Sequence, residues 1–202
     1  AARKAAAHVR AYFEIDKNSS IDIAPFCQRH LNIPICGLDL GQECWGLYSS
    51  DKYENPLIIY SDAHKFSQRN VFTIAHELGH YLFSHDQLNI DCDSNENDVV
   101  EKIANTFAQE LLVPSDALRQ TYDELGLSLV HEIKPSHVVS LCEHFKVSFF
   151  MMVVCLRQIG KISSQTFDSL KDFCMTRLER ESQNLDYRPD AYLSKVKPLK
   201  QQ

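Results

Sequence analysis

The chain has 202 residues, of which 44% are hydrophobic and 10% aromatic, which is enough apolar material for one compact core with a smaller packed appendage. This composition excludes disordered and fibrous proteins. The 21 lysines and arginines against 27 aspartates and glutamates give a formal net charge of −6, so the field of the whole chain does not attract nucleic acid or anionic lipid.

The cysteines and the apolar runs indicate the compartment. Seven cysteines form an odd set without CxxC pairs, and several lie in apolar runs such as MMVVCLRQI, where cysteine behaves as a small buried hydrophobe. We interpret them as reduced thiols. The first residues, AARKAAAHVRAYFEID, contain no apolar stretch that resembles a signal-peptide core, and no apolar run approaches the roughly 20 residues that span a bilayer. We therefore expect a cytoplasmic protein without a membrane segment.

The N-terminal part predicts helices at residues 1–14 and 21–31, followed by a small sheet at 33–60. In residues 33–60 the short apolar runs are broken by glycines and by the Asn55–Pro56 turn, and PLIIY is the clearest strand. We expect this sheet to lie beside the next helix.

The next segment, residues 68–83, carries apolar side chains at helical spacing in VFTIAHELGHYLF, which predicts a helix with one buried face. Residues 86–98 are polar and acidic and predict a loop. A helix is expected at 99–112, ending before Pro114, and a short helix follows through Leu125.

The last clear region, residues 136–181, predicts three helices with short connections. The first two resemble a helix-turn-helix, a motif whose second helix enters the major groove of DNA. Here that helix, SFFMMVVCLRQI, has Arg157 as its only basic residue and is otherwise apolar. This favours a scaffold, or a dock for a protein partner, over DNA binding.

Two histidines four residues apart, His76 and His80, form the motif HELGH on the 68–83 helix. Imidazoles at this spacing are offset by about 40° around the helix axis and by one turn along it, so both can face one metal ion. Glu77 lies beside them, and in this arrangement it is not a ligand but the base that takes a proton from the attacking water. The pattern predicts a zinc peptidase.

An amphipathic helix can also carry two histidines and a glutamate by chance, because a bare HExxH string is a weak signal. The apolar surroundings favour the metal site, since polar groups on a buried face are costly without a metal or a hydrogen-bond partner. Gly79, unfavourable by roughly 1 kcal/mol in a helix interior, is explained if a sheet strand or a substrate packs against the backbone there.

A tetrahedral catalytic zinc site needs a third protein ligand and leaves the fourth position to water. The candidate is Glu101, at the start of EKIANTFAQELLVP, because small and apolar residues share its helix face and Glu110 lies about 180° away. Asn105, one turn further on, is placed to hydrogen-bond a ligating histidine. The alternative for Glu101 is a carboxylate that the helix dipole favours near a helix N-terminus.

The chain carries a joint signature: HELGH preceded by VFTIA, and then a glutamate in E-x-x-A-N-x-F-A-x-E-L-L-V-P. This signature closely resembles the ImmA/IrrE family of metallopeptidases. The resemblance implies that His76, His80 and Glu101 bind one zinc ion per chain and that Glu77 is the general base. It also implies a substrate, a DNA-binding repressor or antitoxin of the Xre type, whose cleavage releases stress-response or mobile-element genes. Manganese or iron also suits a site of two histidines and a glutamate.

We therefore predict an α+β fold. A zincin-like unit, residues 1–126, has a short sheet against the active-site helix, and a helical, helix-turn-helix-like subdomain at 127–186 precedes a loosely ordered tail at 187–202. The predicted function is zinc-dependent cleavage of a protein, without direct binding to nucleic acid or membrane. The alternative is a toxin or protein-binding module that cuts nothing and sequesters its partner. The donor to the oxyanion stays open among Tyr53, Tyr60, Tyr81, His137 and His144.

Overall fold

The computed structural model describes residues 1–41, 44–50, 55–62, 67–83, 89–92 and 99–182. Helices and a small mixed sheet make up the fold, which confirms the predicted α+β class. The chain divides into two compact units, Ala1–Leu112 and Val113–Gln202. This division places residues 113–126 with the C-terminal helices, and the domain limits at 126 and 186 stay a prediction. The predicted tail, 187–202, lies outside the described residues.

The first unit contains four helices and four strands among its described residues. The helices are α1 (Ala2–Tyr12), α2 (Ile23–His30), α3 (Ser67–Leu82) and α4 (Val99–Leu112), and the strands are β1 (Ile35–Leu38), β2 (Cys44–Ser50), β3 (Pro56–Ser61) and β4 (Asn89–Cys92). The sheet has the order β1-β3-β2-β4, with β1 parallel to β3 and with β2 antiparallel to both of its neighbours. The sheet therefore presents β2 and β3 at its centre.

The strand β4 corrects the sequence analysis, which predicted a loop at residues 86–98. Its backbone pairs with β2 at the edge of the sheet, with Ile90 opposite Leu47. Edge strands tolerate polar residues, and strand formation depends on a partner that is remote in sequence. The local composition therefore gave no sign of it. The rest of 86–98 lies outside the described residues.

Helix α3 packs against both the sheet and α4. Its apolar residues Ala75 and Leu78 are fully buried, and α4 contributes Phe107 and Leu111, which are also fully buried. Residues spaced by three and four positions lie on one face of a helix, so each helix presents a continuous apolar surface. Fully burying a side chain the size of leucine stabilises a fold by about 1.5–3 kcal/mol.

A buried arginine fixes α1 to α4. Arg10 is 4% exposed and donates to the carbonyl oxygen of Leu111 at 2.6 Å, and its guanidinium also donates to the carbonyls of Asp16 and Ser19. Leu111 lies in the last turn of α4, where carbonyl groups lack partners within the helix. The pKa of Arg10 is lowered by burial, with Asp16 acting in the opposite direction.

The second unit is helical in its described part. It contains α5 (Ser115–Glu124), a 3-10 turn (Leu127–Leu129), α6 (Pro135–Phe145), α7 (Phe149–Gln158) and α8 (Ser164–Ser182). Ser148 caps α7 by accepting a hydrogen bond from the Met151 amide at 3.3 Å. Most side chains of α7 are buried, including Met152, Val153 and Leu156, so α7 is a core helix, as its sequence predicts.

A helix that crosses a bilayer must be both long and apolar. No single described helix has both the length and the apolar character to cross one; only α6 and α7 taken together, bent by 99°, have both.

Candidate metal centre

Two histidines on α3 meet at their ring nitrogens. His76 and His80 lie one turn apart, and their Nε2 atoms are 2.9 Å from each other. The rings are nearly perpendicular, with centroids 4.6 Å apart. Both side chains are buried, with 3% and 1% of their surface exposed. The spacing of four residues therefore places both imidazoles at one point, as the sequence predicts.

Glu101, in the first turn of α4, brings a carboxylate to the same point. Its Oε2 lies 3.1 Å from Nε2 of His76, and its Oε1 lies 3.2 Å from Nε2 of His80. Hydrogen bonds from His76 and then from His80 lower the pKa of Glu101 well below its usual value, although partial burial acts in the opposite direction. The carboxylate is thus held in its charged form.

The three side chains form a set of possible metal ligands. Their ligand atoms all lie within 4.8 Å of one another. Within the described ranges no other three His, Cys, Asp or Glu side chains converge in this way. Imidazole nitrogen and carboxylate oxygen are common ligands of divalent metals in proteins. His76, His80 and Glu101 could therefore hold a divalent metal ion.

Gly79 explains how α4 comes close enough to supply Glu101. A Cβ atom on Gly79 would lie 3.1 Å from the Cα of Ala104 and 3.2 Å from Cδ1 of Phe107. The sequence analysis expected a strand or a substrate at this position, and the structure shows helix α4 instead. Two helices that meet at a glycine and an alanine approach more closely than larger side chains permit. The contact sets the distance between the histidines and Glu101.

Glu77 and Asn105 occupy different environments. Glu77 is fully buried on the face of α3 that lies toward β2. Asn105 is half-buried on α4, one turn after Glu101. Nδ1 of His76 is buried without a hydrogen-bond partner among the described residues, so Asn105 does not bond to that nitrogen. The predicted role of Asn105 in orienting a histidine stays a prediction.

The possible oxyanion donors lie in different surroundings. The ring of Tyr81 packs on that of Tyr48, with centroids 5.6 Å apart, and the ring of Tyr60 lies against Gly37. Nδ1 of His137 accepts a hydrogen bond from the Lys134 amide at the start of α6, and His144 lies on the same helix. Tyr53 lies outside the described residues.

Sequence analysis missed two residues beside Glu77, namely Gly46 and Thr73. A Cβ atom on Gly46 would overlap Cγ2 of Thr73 and would lie 3.2 Å from Oε1 of Glu77. The one local signal is a glycine inside a strand, which often marks a bulge or a close backbone approach. That signal does not show which side chain approaches, because the contact depends on how the sheet is placed on α3.

Comparisons with known proteins show the family of the chain. Residues 28–157 match the model of a peptidase family described as the IrrE N-terminal-like domain. Over 133 residues the chain is 31% identical to metallopeptidase ImmA of Bacillus subtilis (strain 168), which covers 64% of this chain and 72% of the relative. A solved structure, a transcriptional regulator of Mycobacterium tuberculosis, is similar with a TM-score of 0.48 and 15% identity, over 75% of this chain and 44% of the regulator. The chain thus spans less than half of that regulator, and this likeness is too weak to define fold or function.

The fold and the site together define a class: an α+β protein in which two histidines of one helix and a glutamate of a second helix converge and could hold a divalent metal ion. The family match covers more than half of the chain. The chain therefore belongs to the ImmA/IrrE family of metallopeptidases.

Proposed function

We propose that this protein is a zinc-dependent endopeptidase that cleaves a peptide bond in a protein substrate. The observation that carries the proposal is the convergence of both histidine Nε2 atoms with the carboxylate of Glu101, beside a buried Glu77 on the same helix. Membership of a metallopeptidase family supports it.

The ligands of the proposed zinc ion are His76, His80 and Glu101. Their nitrogen and oxygen atoms approach to between 2.9 and 3.2 Å, and lone pairs at such distances repel unless a proton or a cation lies between them. Two nitrogens and one oxygen fit a tetrahedral catalytic site with an open fourth position. When bound, zinc supplies a Lewis acid that polarises a peptide carbonyl and makes water more acidic. Manganese or iron suits the same donors.

In this proposal Glu77 is the general base. Its side chain is fully buried, so bulk water does not compete for the proton that it carries. The carboxylate takes up a proton from the attacking water and delivers it to the leaving nitrogen of the cleaved bond. Asn105, one turn after Glu101 on α4, is proposed to orient a ligating histidine.

The proposed substrate is an Xre-type repressor, or an antitoxin of the same type, cut at one site in the cytoplasm so that stress-response or mobile-element genes are released. The likeness of HELGH and of the Glu101 segment to the ImmA/IrrE family supports this substrate class. The reduced thiols of Cys27 and Cys36 support a reducing compartment.

The test combines metal analysis with a cleavage assay. The purified chain is analysed for metal by mass spectrometry and is then incubated with an Xre-type repressor of the same organism, with and without a chelator, and a repressor encoded next to its gene is the first to test. We expect one equivalent of zinc and a single cleavage that the chelator abolishes.

The variant Glu77→Gln separates a peptidase from a binding module. An amide cannot take up the proton, so we expect cleavage to fall by about 10²- to 10⁴-fold while zinc and repressor binding are retained. The matched control is Glu132→Gln, which changes an exposed carboxylate and should leave cleavage at the wild-type rate. Repressor binding without cleavage by the wild-type chain would instead support the toxin or binding-module alternative.

A further inference from the structure

Strand β2 follows one face of α3, the face that carries Glu77. Arg69, Thr73, Glu77 and Tyr81 are spaced by four residues and therefore form one row on the helix. The guanidinium carbon of Arg69 lies 2.9 Å from the centre of the Trp45 ring. At the other end of the row, the ring of Tyr81 packs on that of Tyr48 in β2. The strand thus contacts this row at both ends, with Glu77 between them.

A register shift in β2 lies at the level of Thr73 and Glu77. Cys44 is opposite Cys92 and Leu47 is opposite Ile90, so three steps along β2 correspond to two steps along β4. One extra residue in a strand is a β-bulge, which bends the strand and redirects a side chain. Neighbouring side chains on a regular strand point to opposite faces, whereas here Trp45 contacts α3 and the adjacent Gly46 also faces it.

Gly46 brings the strand backbone against the carboxylate of Glu77. A Cβ atom at this position would lie 3.2 Å from Oε1 of Glu77 and 3.2 Å from the carbonyl oxygen of Ile59, and it would overlap Cγ2 of Thr73. Thr73 is itself 6% exposed, and its hydroxyl donates to the Arg69 carbonyl of its own helix at 3.4 Å. The Ile59 oxygen belongs to the backbone of β3, so a side chain at position 46 would press on the sheet or displace the carboxylate of Glu77.

We propose that Gly46 is a positioning residue for Glu77, and this inference rests on the proposed function. The backbone at Gly46 cannot change rotamer as a side chain can. It therefore forms a fixed wall, that is, a rigid surface that limits where the carboxylate of Glu77 can lie. A base works only within hydrogen-bond reach of the proton that it takes, and a misplacement of about 1 Å costs about 100-fold in rate. The bulge and the Trp45–Arg69 contact hold this wall against the helix.

The test uses a pair of substitutions that separates Glu77 from Thr73. Gly46→Ala alone introduces all three contacts, with Thr73, with Glu77 and with the Ile59 carbonyl oxygen, and we expect the overlap with Thr73 to lower the melting temperature. Thr73→Ser removes Cγ2 and keeps the hydroxyl, so the double variant Gly46→Ala/Thr73→Ser relieves that overlap and leaves the new methyl group beside Glu77 and the Ile59 carbonyl oxygen. We expect the double variant to regain most of its melting temperature and one equivalent of zinc, with KM unchanged and kcat lower by several-fold to about 100-fold, the latter being the cost of a misplacement of about 1 Å.

The control is Thr73→Ser alone, which should retain the kcat of the wild-type chain. Trp45 is the only tryptophan of the chain, so its fluorescence reports on the bulge directly. Equal emission spectra of the double variant and of the control would show that the bulge is intact, and a changed spectrum with lost zinc would show a general disturbance and overturn the assignment.

Recovery of wild-type kcat in the double variant would also overturn the inference, because Gly46 would then serve only to accommodate Thr73. The proposed function fails differently. If the wild-type chain cleaves no repressor, the peptidase proposal fails and the role of Gly46 falls with it. If the wild-type chain cleaves and Glu77→Gln does not, the result for the double variant bears on Gly46 alone.

Discussion

His76 and His80 face Glu101 of the next helix, whereas Glu77, between them in sequence, faces the strand β2. The proposed ligands and the proposed base therefore lie on adjacent sides of one helix, about 60° apart between His80 and Glu77. Each side has its own partner, and we expect a substitution on one side to leave the contacts of the other in place. Changes at single residues can then test the proposed metal binding and the proposed proton transfer separately.

The substitution His80→Ala tests the ligand face. Loss of one of three ligands should reduce zinc affinity by more than the roughly 10- to 100-fold that loss of a hydrogen-bond partner to a ligand costs. Metal content after dialysis, measured by mass spectrometry, should fall to a small fraction of one equivalent. His131→Ala, at an exposed histidine of the second unit, is the control and should keep its zinc. A full equivalent of zinc in His80→Ala would contradict the ligand assignment.

Cys27 on α2 should be an unreactive thiol. It is fully buried, and burial raises its pKa to about 12, with a backbone hydrogen bond acting in the opposite direction. Alkylation at pH 8 followed by peptide mass spectrometry should label the half-buried Cys36 and leave Cys27 unlabelled until denaturant is added. Labelling of Cys27 in the native chain at the rate of Cys36 would contradict this.

The raised pKa of Cys27 also predicts that the stability of the fold depends on pH. The folded state holds the Cys27 thiol neutral, whereas the thiol of the unfolded chain ionises near its ordinary pKa of 9.0. Its contribution is therefore fully present below about pH 9 and is lost as the pH rises toward about 12. We expect the free energy of unfolding to fall less steeply above pH 9 in Cys27→Ala than in the wild-type chain. The free energies of unfolding would be measured by urea titration at each pH. If they fell equally steeply above pH 9 in both chains, the prediction would be wrong.

Among the elements, the pair α3 and α4 determines the ligand distances. The helices meet at Gly79 and Ala104, and Ala104 follows Glu101 by one turn of α4. Small residues at this contact hold the two helices at a short separation. The geometry of the site is therefore a property of a helix pair as well as of three side chains.

The substitution Gly79→Ala tests this contact. The new methyl group gains about 1 kcal/mol of helix propensity, while overpacking against α4 costs about 1–3 kcal/mol. The net effect lies between zero and about 2 kcal/mol of destabilisation, so the melting temperature should fall by at most about 8 °C, whereas the displacement of Glu101 should lower zinc affinity by about 10-fold, a loss of the size seen when the support of a ligand is disturbed. Competition with a chelating dye measures this affinity, and an unchanged value would show that the contact does not set the ligand distances.

Local sequence pattern predicts the helices well and the sheet less well. Residues 99–112 were predicted as a helix from their spacing, and α4 has those bounds. The spacing of His76 and His80 predicts their shared face for the same reason, since both features depend on neighbours along the chain. The strand β4 and the bulge before Leu47 could not be predicted, because they depend on pairing between segments that are remote in sequence. The close approach of Gly46 to Glu77 follows from that pairing.

At the scale of the whole molecule, the ligand set lies entirely in the first unit, Ala1–Leu112, while the family match at residues 28–157 extends into the second unit. Arg10, whose guanidinium donates to the end of α4, lies before that match. The support of the helix that carries Glu101 therefore includes a segment that the family match does not cover.

Removal of the metal should affect the two units differently. An ion that binds only the folded state stabilises it by about 4 kcal/mol when it is present at about 1,000 times its dissociation constant. Hydrogen exchange with and without chelator should therefore show faster exchange in α3 and α4 of the metal-free chain, with little change in α6 and α7. Equal loss of protection in all four helices would contradict this expectation.

Because the histidines face α4 while Glu77 faces β2, the proposed cleavage step can be blocked while the substrate stays bound. A chain with Glu77→Gln, immobilised on a resin, should retain the proposed protein substrate from a cell extract instead of releasing it as fragments. A second resin carrying His80→Ala is expected to lack the ion as well. A protein retained by the first resin and absent from the second is one whose capture depends on the metal.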